Sequence, residues 1–154
     1  MSTTPSGGVL RYDEGVFIGY RAYERAGVTP RYPFGHGLGY TTWEYEHMTA
    51  DPQAVTVTVR NAGARAGRDV VQIYAGPAGA DSAGRPARWL AGFASVSAAP
   101  GEACTVTISL PERTFQIWAD GAADRGWQTV PGVYVIEAAR SRADVRLAAT
   151  VQVG

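Results

Sequence analysis

The strongest constraint on this chain is a two-residue alternation that glycine and proline keep cutting short. Val55, Val57 and Val59 alternate with Thr56, Thr58 and Arg60, and Cys104, Val106, Ile108 and Leu110 alternate with polar or small residues. Successive side chains of a strand point to opposite faces, so each run presents one apolar face and one polar face. Helical periodicity is weak across the same region. Asn61-Ala62-Gly63, Arg65-Ala66-Gly67, Pro100-Gly101-Glu102 and Pro131-Gly132 punctuate the runs as turn signals. Strands are expected at 42–48, 54–60, 70–75, 89–96, 104–110, 115–118, 133–138 and 145–153. The 70–75 run is apolar almost throughout and reads as a central strand. Short strands at a spacing of about 8–12 residues predict an all-β antiparallel sandwich of two sheets.

Length and charge narrow the function classes. At 154 residues the chain is one domain with an extension, long enough to form a core without disulfides. Formal net charge is zero and lysine is absent, with the arginines scattered. Nucleic acid is therefore not an expected partner, because its binding rests on clustered positive charge. No apolar run approaches the roughly 20 residues needed to cross a bilayer, so no membrane partner is expected. MSTTPSGGVL lacks the basic-then-apolar pattern of a signal peptide, which makes a cytoplasmic location the default expectation. Cys104 is the single cysteine and reads as a small hydrophobe within a strand.

Tyr32 to Tyr45 is the densest run of information. It holds Tyr32, Phe34, Tyr40, Trp43 and Tyr45 around Gly35, Gly37 and Gly39, with His36 between glycines. Glycine permits backbone bends closed to bulkier residues. The aromatics predict a turn that packs against something and feeds the first strand.

Pro33 to Thr41 resembles the start of the C-terminal fibronectin type III-like domain of glycoside hydrolase family 3 enzymes, the β-glucosidases and their relatives. Gly39 stands where that family usually has serine, which softens the turn. Further landmarks follow in the family's order: Arg85-Pro86, Trp89-Leu90-Ala91-Gly92-Phe93, Pro100-Gly101-Glu102, Phe115, Trp118, Asp120, Trp127, Pro131-Gly132, Tyr134, then Ser141, Asp144, Arg146 and Leu147. The resemblance spans Tyr12 to the C-terminus. It implies a fibronectin type III/immunoglobulin-like sandwich that buttresses catalytic domains and is itself non-catalytic. The loop Gly76–Pro86 is the segment that would reach towards an active site, and it is short for that task. Val9–Arg31 resembles the piece that links an α/β domain to the sandwich. Three fates are open to its apolar residues: folding back on the sandwich, pairing with another chain, or partial disorder.

No residue is expected to be catalytic, cofactor-binding or metal-binding. Asp13 and Glu14 are adjacent acids, but glycoside hydrolysis needs two carboxylates facing each other about 5 Å or more apart. Neighbouring side chains in an extended segment diverge. In the family the nucleophile and the acid/base residue come from other domains. His36 is read as holding its turn by hydrogen bonds, since His47 with Asp51 is too thin a set for a metal. Gly35 to Gly39 is not a phosphate loop, because a strand-like run follows where a helix should start. Trp89, Trp118 and Trp127 are read as packing residues, with Trp127 in a polar loop the most exposed. Arg85, Arg88, Asp144 and Arg146 are read as surface or loop-fixing charges.

The expectation is thus residues 1–33 as tail and linker and 34–154 as sandwich, an accessory domain not enzymatic on its own. Expected partners are glycoside hydrolase catalytic domains, in cis as in relatives or in trans. The alternatives are a free-standing carbohydrate-binding or protein-interaction module, or one part of a split β-glucosidase.

Overall fold

The computed structural model describes residues 4–79, 83–121 and 125–154. The middle of the Gly76–Pro86 loop, residues 80–82, and Asp124 beside Trp127 lie outside the described residues. Among those described, the strands are β1 (Trp43–Ala50), β2 (Ala54–Asn61), β3 (Gly67–Pro77), β4 (Trp89–Ala98), β5 (Ala103–Ser109), β6 (Gln116–Ala119), β7 (Gly126–Thr129), β8 (Gly132–Ser141) and β9 (Asp144–Val153). A short helix, α1 (Tyr20–Arg25), precedes them, and a 3-10 turn spans Glu112–Phe115.

Two antiparallel sheets form the sandwich. One runs β1-β2-β5 and the other β4-β3-β8-β9. The alternation sets the packing. Val55, Val57 and Val59 are fully buried, and across the gap Val71, Ile73, Ala75, Ile136 and Ala138 are equally sealed. Burying a valine or isoleucine side chain stabilises the fold by about 1.5–3 kcal/mol. β3 is central, as its sequence predicts, lying between β4 and β8. The opposite face of β2 is wet, and its threonines pair with those of β5, Thr56 with Thr107 and Thr58 with Thr105, each at 2.9 Å.

Asn61 ends β2 and is fully buried. Its amide nitrogen donates to the Arg65 carbonyl at 2.7 Å and the Ala98 carbonyl at 3.0 Å. Its side-chain oxygen accepts from the Thr41 hydroxyl at 2.5 Å and the Gly63 amide at 3.1 Å. The turn residue of the sequence is therefore a knot tying three loops together, with no polar atom left to be desolvated unpaired.

Two elements depart from expectation. Residues 126–129, read as loop, form β7 and pair with β6, with Trp118 opposite Trp127. Four residues without an apolar alternation carry too little pattern to register as a strand. The second is α1, which is too short for periodicity to reveal. It is closed by its C-terminal turn: Gly27 takes φ +64°, its amide donates to the Glu24 carbonyl at 3.1 Å and the Val28 amide to the Tyr23 carbonyl at 3.0 Å. Such a glycine cap supplies partners for carbonyls that the helix leaves unpaired.

Candidate functional site

The outer face of the four-stranded sheet is the least ordinary surface of the molecule. Gln72 and Tyr74 alternate with the core residues of β3 and so point away from the core. An outward face is normally wet, yet Tyr74 is fully buried and Gln72 nearly so. The cover is the N-terminal segment, which folds back on the sandwich. Tyr20 of α1 lies edge-on to Tyr74 at 6.2 Å and against Phe34 at 4.8 Å. Its hydroxyl accepts the Leu90 amide of β4 at 2.9 Å.

Polar groups under this cover are mostly paired, Glu24 Oε2 being left without a hydrogen bond. Tyr74 donates to the Gln72 side-chain oxygen at 2.7 Å, and the Gln72 amide donates to the carbonyls of Arg140 at 2.5 Å and Gly35 at 3.2 Å. Burial pushes the Tyr74 hydroxyl pKa above its ordinary range. Arg142 is the electrostatic hinge. Its amide donates to the Phe34 carbonyl at 2.9 Å, its guanidinium pairs with Glu24 of α1, and it reaches Glu137 of β8 at 3.2 Å. Glu137 also faces Arg88 at 3.2 Å. Arg88 is therefore part of this sheet network, whereas Arg85 stacks over Trp89 and Tyr134 and donates to the Tyr134 hydroxyl at 2.6 Å.

Gly35 explains the turn. It has φ +80°, and a Cβ there would sit inside the Gln72 amide. Any other residue is strained in conformation and must displace the Gln72 amide from its partners. Gly37 has open space around it and no positive φ. The packing requirement expected of the whole run thus concentrates at one position.

His36 departs from its expected role. The turn is held through its backbone, the His36 amide donating to the Pro33 carbonyl at 3.0 Å, while the exposed imidazole lies against Tyr32 at 5.7 Å. The aromatics of the run also divide. Trp43 is buried and Tyr45 is half-buried against the core, but Tyr32 and Tyr40 are exposed, Tyr40 to 91 %. These two precede β1 and lie outside both sheets.

A cleft of about 560 Å³ opens between the Gly35–Gly39 turn and the ends of β3 and β8. Its two carboxylates each face a guanidinium. Asp69 faces Arg140 at 3.4 Å, Asp144 pairs with Arg146 at 2.6 Å, and Arg68 donates to Ser95 at 2.5 Å. Asp144 thus meets a guanidinium. Burial raises the Asp69 pKa, against the opposing pull of Arg140.

The other sequence candidates scatter. Asp13 and Glu14 lie in the turn before α1, where the Glu14 carbonyl accepts the Phe17 amide at 3.0 Å. Asp51 caps its own turn, accepting the amides of Gln53 at 2.7 Å and Ala54 at 2.9 Å. The described residues contain no group of three or more His, Cys, Asp or Glu that could hold a metal ion. Cys104 is half-buried opposite Val59, and burial pushes its thiol up. Trp89 packs against the core and donates to the Thr114 carbonyl at 3.1 Å. Trp118 and Trp127 do not pack inward, because the β6–β7 hairpin stands outside both sheets. They are 51 % and 45 % exposed.

Residues 69–142, from the start of the cleft through the sheet network, match the fibronectin type III-like domain. This chain carries a fibronectin type III-like domain, and over nearly its whole length it resembles the corresponding region of β-glucosidases. The sandwich superposes on the crystal structure of DesR, a β-glucosidase from Streptomyces venezuelae in complex with D-glucose, with a TM-score of 0.86 and 41% identity, over 93% of this chain and 19% of that one. Thermostable beta-glucosidase B of Acetivibrio thermocellus is 38% identical over 152 residues, 94% of this chain and 20% of the relative. The exo-alpha-(1->6)-L-arabinopyranosidase of Bifidobacterium breve is 39% identical over 149 residues, 94% of this chain and 19% of the relative. The similarity takes in the N-terminal segment as well as the fibronectin type III-like sandwich. The chain spans about a fifth of the length of these relatives.

Proposed function

We propose that this chain is a non-catalytic accessory domain that packs against the catalytic part of a family 3 glycoside hydrolase, with residues 1–33 as the connecting segment and 34–154 as the sandwich. The observation that carries the reading is where the exposed apolar surface lies. Most of the large apolar side chains left in water fall between Val9 and Tyr40, including Tyr12, Val16, Ile18 and Tyr23. Exposed apolar surface gathered in one segment marks an interface. α1 supports the arrangement from below: its Tyr20–Glu24 side grips the sheet, and Tyr23 faces outward.

In this reading the accessory part does not select the glycoside that is cleaved. Its relatives include a β-glucosidase and an arabinopyranosidase at nearly equal identity. Two measurements test the proposal. The purified chain, assayed with an aryl β-glucoside, should give only background hydrolysis; turnover that survives purification and disappears on replacing one carboxylate overturns it. A family 3 catalytic segment produced without its own fibronectin-like domain should co-elute with this chain, and Tyr12→Ser/Ile18→Ser should abolish co-elution. Separate elution of the unmodified chain removes the docking role in trans.

A further inference from the structure

The β6–β7 hairpin is not absorbed by the interface that residues 9–40 offer. It is a ribbon of four-residue strands standing off the two sheets, and such a short pair contributes little stability by itself. Its base is tied down by the Val130 amide donating to the Phe115 carbonyl at 2.9 Å. Because Trp118 is directly opposite Trp127 and Gln116 opposite Thr129, these four side chains share one face. The indoles meet edge to face, 5.5 Å apart at 73°, and so present ring surface in two directions. Beside them the Gln116 amide reaches the Thr129 hydroxyl at 3.5 Å, and the Arg113 guanidinium sits 4.1 Å from the Trp127 ring centre.

We propose that this face binds a neutral oligosaccharide. A pyranose has an apolar C–H face and a rim of hydroxyls that both donate and accept hydrogen bonds. Indole surface matches the first. The Gln116 amide and Thr129 hydroxyl beside the indoles, with the Arg113 guanidinium over the Trp127 ring, match the second. Charge is largely compensated within the hairpin, Asp120 and Arg125 pairing at its end at 3.3 Å and the Arg113 guanidinium lying over the Trp127 ring, which suits a neutral ligand.

The test uses the purified 154-residue chain with cellohexaose and laminarihexaose as probes. Indole N–H resonances of Trp118 and Trp127 should shift saturably, with a dissociation constant on the order of 1 mM. Those of Trp43 and Trp89 should stay in place. Trp118→Ala and Trp127→Ala should each weaken binding about tenfold or more, by analogy with aromatic anchors elsewhere. Gln116→Ala leaves both indoles and should weaken it about threefold, the loss of one hydrogen bond. It keeps the proposal falsifiable where a tryptophan variant unfolds the hairpin. No saturable shift up to about 10 mM, where even a free energy near −3 kcal/mol would show, overturns the site. So does undiminished binding in Gln116→Ala and the folded tryptophan variants. Concentration-dependent dimerisation abolished by Trp118→Ala would assign the face to a second copy of the chain and overturn it equally.

Discussion

The two faces of the four-stranded sheet are both buried, but by opposite means. On the inner face Val71, Ile73 and Ala75 meet valines of the other sheet, and burial needs only apolar shape. On the outer face Gln72, Tyr74, Glu137 and Arg142 are covered by a segment that lies more than 30 residues away in sequence, through directed hydrogen bonds and ion pairs. Apolar packing tolerates a shifted partner, whereas a directed bond fails once its geometry is lost. The inner face therefore carries the stability of the sandwich, and the outer face fixes where the N-terminal segment sits.

The largest break comes from the inner face. Ile73→Ala opens a cavity in a fully sealed position and should cost about 2–5 kcal/mol in urea denaturation, lowering the whole transition. Gly35→Ala attacks the outer face. The strained φ and the clash with Gln72 should cost on the order of 1–3 kcal/mol. Its signature differs from the first: limited proteolysis should cut between Phe17 and Phe34 while the sandwich stays protected. Equal protection of that segment in the variant would show that the outer face does not depend on this turn.

Tyr20→Phe keeps the ring contacts and removes only the acceptor for the Leu90 amide, so about 0.5–1.5 kcal/mol should be lost. Asp69→Asn is the subtlest. Burial raises the Asp69 pKa in the folded state, so the folded chain holds this proton more tightly than the unfolded chain. Its contribution is fully present below the ordinary carboxylate range and declines as pH climbs through the raised value. Arg140, Arg146 and Tyr45 are the charged and titratable groups acting on it, beside a hydrogen bond from the Val70 amide. Asp69→Asn should flatten that decline in a stability–pH profile; an unchanged slope would assign the decline to another group.

Much of the fold could be read in advance because strand alternation is local. Val55 to Val59 and Cys104 to Leu110 declare their inward faces without reference to anything else, and Pro100-Gly101 and Pro131-Gly132 announce turns. Only half of the hairpin of Trp118 and Trp127 is legible: 115–118 reads as a strand, whereas 126–129 is four residues long and lacks that alternation. The two tryptophans were expected to pack because large aromatics usually do. Their exposure follows from the hairpin's place outside the sheets. Arg142 drew no notice in the sequence, although it ties α1, the turn and β8 together. Only the sequence separation of its partners, Glu24, Phe34 and Glu137, hides it.

The sequence by itself determined the sandwich, its central strand and the order of turn motifs by which it resembles β-glucosidases, because periodicity and turn chemistry act over a few residues. The tertiary structure decided that Gly35 is the one indispensable glycine of its run, that the N-terminal segment covers the back of the sheet, and that two tryptophans stand in water. Each of those depends on which distant side chain occupies the neighbouring space, such as the Gln72 amide beneath Gly35, and no local pattern encodes that.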